Sequence, residues 1–392
     1  MSAAAEGGLS GGTLEQRYLH SIFATLCAIE SPSLQERACG ERVSAELQAL
    51  GLEVLEDCAG EAIGADCGNL LARLPGGAQG ARSVLLCAHL DTVPPQAAVE
   101  PVLEEGFWSN ANEGILGADN KAAIAVLLAL ARQVHREGAP VDLELLFTVG
   151  EEISLAGASE FDVSALRSDY GYVFDHASPI GEVILDSPCH YRVEARFRGA
   201  AAHAGVRPQD GRSAILAASR AIASLRLGAI EGEGTVNVGT IEGGSAINVV
   251  PEHCRVVAEV RGADDRRGEA LVAELVDRVH QAANRPDCDC DVEVSVRRTF
   301  SGYRLSPSAP PLRAAEAALR ARGHEPVRIS SGGGSDANAL IAAGFQTVNI
   351  ANGTERAHEP GERVAAAALE EMLAVVRTLL DEVAALAPDA AL

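Results

Sequence analysis

The sequence predicts an α/β protein with a mostly parallel sheet, interrupted by a smaller α+β domain of ferredoxin-like type. In the first and last parts of the chain, apolar stretches typical of strands alternate with stretches typical of helices. Such alternation places helices on both faces of a parallel sheet. The middle part has the different order β-α-β-β-α-β, which fits an antiparallel ferredoxin-like sheet. At 392 residues the chain is also too long for one ordinary hydrophobic core.

Helices and strands of the first part follow from local patterns. Leu14, Tyr18, Ile22 and Phe23 recur at helical spacing, and a second amphipathic stretch stops at Gly51. Residues 1–12 have neither a basic residue nor an apolar core, so we expect a disordered tail and no secretory signal. The predicted elements are helices 14–30, 33–50 and 119–135, and strands 69–74, 83–88 and 142–149.

The pattern changes near Ser187-Pro188, where apolar and polar residues begin to alternate, and the α/β pattern returns after Tyr303. We therefore predict a catalytic domain of residues 1–187 and 302–392, with an inserted lid domain of residues 188–301. An exposed sheet edge at about 207–240 would allow the lid domains of two copies to form a homodimer. The predicted elements are strands 191–198, 235–241, 254–260, 292–297 and 347–350, and helices 212–226, 267–283, 310–322 and 361–387.

Composition excludes several classes of partner. The net charge of −23 argues against nucleic acid and against an anionic membrane surface. No apolar stretch is long enough to predict a membrane span. The nine cysteines are an odd number without framework spacing, which indicates free thiols in a reducing cytosol. We therefore expect a cytoplasmic protein that acts on a small substrate.

Several polar residues follow directly after predicted strands. His89 and Asp91 come after strand 83–88, Glu151 and Glu152 after strand 142–149, and Asp175 after the apolar Gly171–Phe174. Carboxyl ends of parallel strands meet at one edge of a sheet, where such proteins bind ligands. Adjacent side chains point to different sides, so one of the two glutamates can bind a metal while the other accepts a proton.

Two further residues complete a set of metal ligands. Asp119 opens a predicted helix, and His358 lies in a late loop rich in Gly and Asn. Taken alone, each has an ordinary alternative, a helix N-cap for Asp119 and an exposed loop histidine for His358. Two imidazoles and several carboxylates together indicate a two-metal hydrolase site. Nitrogen and oxygen ligands without thiolate suit two Zn²⁺ ions, with Co²⁺ or Mn²⁺ as substitutes.

Other polar residues are candidates for substrate binding. His203 follows a strand of the inserted domain, and Asn248 and Arg261 lie at other strand ends. Arginine suits a planar carboxylate or an oxyanion. For each of the three, a role in a turn or on the surface is the ordinary alternative. The glycine-rich run 331–336 could bring backbone N–H groups close to a substrate.

Residues 87–94, 117–121, 150–152 and 202–205, with Asp175 and His358 in this order, resemble the di-zinc exopeptidase family. This family includes tripeptide aminopeptidase (peptidase T), aminoacylase and the carboxypeptidase G type. The resemblance covers nearly the whole chain and implies a zinc-exopeptidase-like catalytic domain with an inserted lid. Its most specific parts are His89-Leu90-Asp91-Thr92 and Gly150-Glu151-Glu152.

The resemblance also implies roles for individual residues. His89 and Asp175 would hold one zinc, Glu152 and His358 would hold the other, and Asp119 would bridge them. Asp91 would orient His89, Glu151 would be the general base, and His203 would help to stabilise the oxyanion. The family often has a cis peptide after the bridging aspartate, here Asp119-Asn120.

Within the family, an aspartate at position 175 is usual in aminopeptidases, whereas other branches more often carry glutamate. The expected function is therefore hydrolysis of the N-terminal peptide bond of short peptides by a metallo-exopeptidase of the peptidase T type. His176 departs from the family pattern and puts strict tripeptide specificity in question. The alternatives are an aminoacylase, an N-acyl amino acid deacylase or a carboxypeptidase of the same superfamily, and a non-catalytic binding protein on this scaffold.

Overall fold

The computed structural model describes residues 13–76 and 82–386, and this part of the chain forms two compact units. The first unit contains the described residues up to Asp186, Arg304–Ser331 and the residues from Ser335 onward. The second unit contains Ser187–Tyr303 and Gly332–Gly334. The predicted tail 1–12 and the last residue of the predicted helix 361–387 lie outside the described residues.

The first helix of the first unit begins at Leu14, as predicted. Thr13 caps the first helix through a capping box with Gln16, which satisfies otherwise unpaired amides. The helices are α1 (Leu14–Cys27), α2 (Arg37–Gln48), α3 (Ala59–Ile63), α4 (Ala118–Glu137), α5 (Ala156–Glu160), α8 (Pro310–Ala321), α9 (Asp336–Ala342) and α10 (Ala366–Ala385), with a short 3-10 helix at Val163–Ala165.

A nine-stranded sheet forms the centre of the first unit. Its central strands β6, β3, β7 and β16 run parallel, whereas the pairs β1–β2 and β2–β6 are antiparallel. The strand order is β1-β2-β6-β3-β7-β16-β8-β14, with β15 also paired to β8. The strands are β1 (Val54–Glu56), β2 (Leu70–Leu74), β3 (Ser83–His89), β6 (Asp142–Thr148), β7 (Tyr170–His176), β8 (Glu182–Ser187), β14 (Tyr303–Arg304), β15 (Val327–Ser330) and β16 (Thr347–Ala351).

A small four-stranded sheet of the first unit contains the two strands on either side of His358. Its order is β17-β18-β5-β4, and all its pairs are antiparallel. Its strands are β4 (Pro101–Glu104), β5 (Phe107–Asn110), β17 (Thr354–Glu355) and β18 (Arg363–Ala365).

The second unit is an open antiparallel sheet covered by two helices. Residues of β9 alternate between buried and less buried along the strand, as expected when one face packs on helices. The strand order is β10-β11-β12-β9-β13. The elements are β9 (Cys189–Arg198), α6 (Ala214–Ser224), β10 (Gly228–Ile230), β11 (Gly234–Gly243), β12 (His253–Gly262), α7 (Asp265–Ala283) and β13 (Asp291–Phe300), with a short 3-10 helix at Pro208–Asp210.

The predicted fold class is confirmed, and two local predictions are wrong. The predicted helix 361–387 begins only at Ala366, because Gly361 has a φ of 88° and residues 363–365 pair with β5 as a strand. Asp119 was predicted to open a helix, but Asp119 and Asn120 have non-helical dihedral angles, so the regular helix begins after them.

The cysteines agree with the expectation of free thiols. All nine cysteines are free thiols. In the part of the chain that the structure describes, no helix is long and apolar enough to cross a membrane.

Candidate metal centre

Three neighbouring parallel strands bring the predicted ligands to one edge of the sheet. His89, the last residue of β3, lies opposite Thr148, the last residue of β6. On the other side of β3, strand β7 carries Asp175 near its end. Because Glu151 and Glu152 follow directly after β6, the carboxylates gather where the strands end.

The first group of side chains surrounds His89, whose ring is almost completely buried. His89 Nε2 lies 3.4 Å from Asp119 Oδ1 and 3.4 Å from Asp175 Oδ1. Ligand atoms of His89, Glu151 and Asp175 all lie within 4.8 Å of one another, close enough to share one metal ion.

The second group surrounds His358, whose side chain is half exposed. His358 Nε2 lies 3.4 Å from Asp119 Oδ2 and 2.9 Å from Glu152 Oε1. The 2.9 Å contact lacks hydrogen-bond geometry, and Glu152 Oε1 has no other partner although it is buried. Asp119 therefore lies between the two groups, with one carboxylate oxygen directed to each imidazole.

Asp91 contacts more residues than the sequence predicted. His89 Nδ1 lies 2.9 Å from the backbone oxygen of Asp91 and 3.4 Å from its carboxylate. The two carboxylate oxygens accept the backbone amides of Glu151 at 3.0 Å and Glu152 at 3.1 Å. Ser33 also donates its hydroxyl to this carboxylate at 2.7 Å. Asp91 thus holds the backbone of both glutamates in addition to facing His89.

Asp175 is held by two asparagines. Asn120 Nδ2 donates to Asp175 Oδ1 at 2.9 Å, which orients the carboxylate. Asn349 accepts the amide of Asp175 and donates to its carbonyl, each at 3.0 Å. The Asp119-Asn120 peptide bond is cis, as the resemblance implied.

The surrounding carboxylates raise the pKa values of both imidazoles. Burial alone would lower the pKa of His89, but Asp175, Asp119 and Asp91 raise it well above its usual value. The adjacent carboxylates of Asp119 and Glu152 raise the pKa of His358 to about 10. Burial opposes ionisation of Asp119, yet the two imidazolium partners hold its pKa below the usual range. Because an imidazole must be neutral to bind a metal, a metal ion at this site would compete with protons for both rings.

The other carboxylates bind protons more tightly than usual. Burial is the main cause of the raised pKa of Glu151, and Asp175 and Glu152 add to it. Burial likewise raises the pKa values of Glu152 and Asp175. Within residues 13–76 and 82–386, no lysine or arginine forms a salt bridge with these carboxylates or with Asp119. Four carboxylates with no fixed cation beside them, together with an unpartnered buried oxygen, fit a pair of divalent ions.

Three buried acidic residues beside the site were not predicted from the sequence to have a function. Glu362 accepts the amide of Asp119 at 2.9 Å, and Glu36 accepts the amide of Gly150 at 3.0 Å. The Thr148 hydroxyl donates to Asp336, whose pKa burial raises to about 7. A single acidic residue in a loop gives no periodic signal, so the pattern of the sequence could not distinguish Glu362 and Glu36 from surface residues.

The predicted substrate-binding residues belong to the second unit. His203 forms an isolated bridge with Val249, and the amide of Ala204 donates to the carbonyl of Asn248 at 3.0 Å, so these two loops run side by side. Arg261 donates to Glu259 at 3.3 Å and to the carbonyl of Gly332 at 3.0 Å.

An α/β sheet whose parallel strands end in one imidazole and three carboxylates, with a second imidazole and a fourth carboxylate from two other segments, has the ligand set of a metallopeptidase-type hydrolase. Residues 189–286 match the model of a peptidase dimerisation domain, M20_dimer, and residues 69–176 match that of peptidase family M28.

Individual relatives cover almost the whole chain. The uncharacterized protein YqjE of Bacillus subtilis is 33% identical over 94% of this chain and 99% of its own length. The acetylornithine deacetylase of Myxococcus xanthus is 30% identical over 88% of this chain and 92% of its own length. The crystal structure of aminopeptidase PepT from Bacillus cereus is 32% identical, covers 94% of this chain and 99% of that chain, and has a TM-score of 0.86. The chain belongs to the M20 family of peptidases, among the members that resemble peptidase T.

Proposed function

We propose that the protein is an aminopeptidase that removes the N-terminal residue of short peptides at a dinuclear metal site. The observation that carries this proposal is the position of Asp119, whose two oxygens each lie 3.4 Å from a different imidazole. On this proposal His89 and Asp175 hold one ion, Glu152 and His358 hold the other, and Asp119 contributes to both.

The donor set favours Zn²⁺, because it consists of imidazole nitrogens and carboxylate oxygens without thiolate. Two such ions would polarise the carbonyl group of the substrate and lower the pKa of the attacking water. Co²⁺ and Mn²⁺ prefer similar ligands and are expected to replace zinc.

Glu151 is the proposed general base. It would accept a proton from the attacking water and pass it to the leaving amine, so that the carboxylate is regenerated at the end of each cycle. Burial and the neighbouring Asp175 raise the pKa of Glu151, and two bound cations would oppose this shift and keep the carboxylate ionised. The Asp91 carboxylate fixes the backbone of Glu151 and thereby the start of its side chain.

We also assign substrate binding to His203, Asn248 and Arg261. The guanidinium group of Arg261 is held by Glu259 and by the Gly332 carbonyl, so its orientation is fixed. A fixed guanidinium suits the carboxylate at the far end of a short peptide. His203 would donate a hydrogen bond to the developing oxyanion.

The experiment compares three substrates of the purified protein after metal removal and after addition of Zn²⁺, Co²⁺ or Mn²⁺. Trialanine should be cleaved to alanine and dialanine after metal addition. N-acetyl-trialanine should not be cleaved, because an aminopeptidase requires the free amine. Trialanine amide should be cleaved with a higher KM, because Arg261 loses its carboxylate partner. Cleavage of N-acetyl-trialanine without cleavage of trialanine would overturn the proposal.

A deacylase is the second candidate, because the acetylornithine deacetylase of Myxococcus xanthus is similar in sequence over 88% of this chain. Its metal ligands would be the same, so the distinction lies in the substrate. Release of acetate from N-acetylornithine or N-acetyl-alanine, without cleavage of trialanine, would favour it. Release of alanine from N-acetyl-trialanine, without cleavage of trialanine amide, would indicate a carboxypeptidase.

A further inference from the structure

Glu362 is a buried acidic residue that lies outside the proposed ligand set. It is 1% exposed and stands immediately before strand β18. Residues 363–365 pair with β5, so the backbone that follows Glu362 is fixed by a sheet. Its side chain therefore starts from a rigid position in the interior of the first unit.

The carboxylate of Glu362 accepts three backbone amides from one short segment. Oε2 accepts Leu116 at 2.9 Å and Gly117 at 2.8 Å, and Oε1 accepts Asp119 at 2.9 Å. These amides precede the regular part of α4, so its helical hydrogen bonds do not satisfy them. A buried amide without a partner is costly, so the segment 116–119 is held to Glu362.

The backbone of Glu362 fixes a second segment. Its amide donates to the carbonyl of Glu359 at 3.0 Å, and the amide of Glu359 donates to Arg356 at 3.2 Å. His358 lies inside these turns with a φ of 67°, a left-handed conformation that costs free energy outside glycine. The end of the turn at Glu362 helps to hold the imidazole where it is.

One residue thus joins two segments that are far apart in sequence. Its side chain holds the segment that carries Asp119, and its backbone ends the turn that carries His358. The distance of 3.4 Å between His358 Nε2 and Asp119 Oδ2 depends on both attachments. His89, by contrast, is oriented by the backbone oxygen of Asp91 and, within the described part of the chain, forms no hydrogen bond with Glu362.

We propose that Glu362 is a positioning residue that sets the distance between Asp119 and His358 and thereby the affinity of the metal position that includes His358. The proposal rests on the dinuclear site of the proposed function. Glutamine cannot replace the carboxylate, because both oxygens of Glu362 accept backbone N–H groups. The side-chain NH2 group of glutamine is a donor and would leave one of these N–H groups without an acceptor. Loss of a group that orients metal ligands typically weakens metal binding by about 10–100-fold.

The test measures metal binding directly and does not require activity. Metal-free wild type, Glu362→Gln and Glu362→Asp are titrated with Co²⁺, and the visible spectrum and the bound metal are recorded at each step. We expect two bound ions in the wild type. In Glu362→Gln one ion should bind as in the wild type and the other about 10–100-fold more weakly. The remaining spectrum should match that of His358→Ala rather than that of His89→Ala.

Glu144→Gln is the matched control. Glu144 is 2% exposed, lies in the same unit and accepts the backbone amides of Arg167 and Ser168, each at 2.8 Å. Its replacement should lower thermal stability but leave both Co²⁺ affinities unchanged. If Glu362→Gln does not fold, Glu362→Asp carries the test, because its shorter carboxylate cannot reach both ends of segment 116–119.

The outcomes separate the two proposals. A wild-type protein that binds no divalent ion contradicts the proposed function. Wild type with two ions and Glu362 variants with unchanged affinities would overturn the role of Glu362 alone. Equal weakening in Glu144→Gln would also overturn it, because the effect would then follow from general loss of stability.

Discussion

Asp91 Oδ1 accepts the backbone amide of Glu151 at 3.0 Å. The other oxygen of the same carboxylate accepts the amide of Glu152 at 3.1 Å. The segment that carries the proposed base and a proposed metal ligand is therefore held by one completely buried side chain. Since His89 also faces Asp91, Asp91 links the proposed base to the metal position that includes His89.

Asp91→Asn should reduce turnover more than metal content. An asparagine directs an N–H group towards one of the two amides, so the loop of Glu151 and Glu152 loses a hydrogen bond. The expected loss in kcat is about 10–100-fold, as for other residues that orient ligands. Steady-state kinetics and metal analysis of the purified variant check this. Ser33→Ala, which removes one donor to Asp91, should have a smaller effect, and full activity of Asp91→Asn would contradict the assigned role.

Glu151→Gln should keep two metal ions and lose most peptide hydrolysis. The amide cannot accept the proton, and removal of a general base costs about 100–10,000-fold in rate. Metal analysis and kcat with trialanine check this. Glu160→Gln, on the surface of α5, is the control and should retain wild-type rates. Substantial turnover by Glu151→Gln would assign the base to another residue.

Glu36 should make stability depend on pH. Burial, with a contribution from Asp91, raises the pKa of Glu36 to about 7, whereas an unfolded glutamate ionises near about 4.3. Between these values the folded protein keeps a proton that the unfolded chain has lost. The contribution of Glu36 is therefore fully present below about pH 4.3 and is lost as the pH rises through about 7.

The measurement is urea unfolding of metal-free wild type and Glu36→Gln at several pH values from 5 to 8. Glutamine is neutral throughout and can still accept the amides of Leu34 and Gly150. The free energy of unfolding of the wild type, relative to the variant, should fall from pH 5 to 7 and then stay level. Parallel curves for the two proteins would contradict the raised pKa.

We further predict a homodimer through the edge of β11. Strand β10 pairs only with residues 234–236, so residues 237–243 form an outer edge, and Ile241 is 48% exposed on it. Ile241→Lys should convert a dimer of 40.6 kDa chains into monomers, because a charge at a strand edge opposes pairing. Light scattering after size-exclusion chromatography measures this.

Val296→Lys is the control for the other edge of the same sheet, since Val296 is 43% exposed on β13. It should remain dimeric. Dissociation by Val296→Lys alone would place the interface at β13 and contradict the proposed interface at β11. A monomeric wild type would refute the homodimer itself.

Much of the fold could be predicted because it depends on local patterns. Apolar stretches separated by turns indicate strands, and their alternation with helices implies a parallel sheet. That topology places His89, Glu151 and Asp175 at one sheet edge without knowledge of any distance. The small sheet containing β5 and β18 could not be predicted, because its strands of two to four residues are too short to show a period.

The sequence by itself determined which residue types follow each strand and hence the chemistry available at that edge. Only the tertiary structure decided how these groups are held. Glu362 and Leu116 are 246 positions apart in sequence, and their hydrogen bond satisfies a buried amide that no sequence pattern reveals. Asp91 was expected to orient a histidine, but folding also brought the amides of Glu151 and Glu152 to its carboxylate. Local patterns follow from the geometry of single elements, whereas such contacts arise only when the folded chain brings partners to buried polar groups.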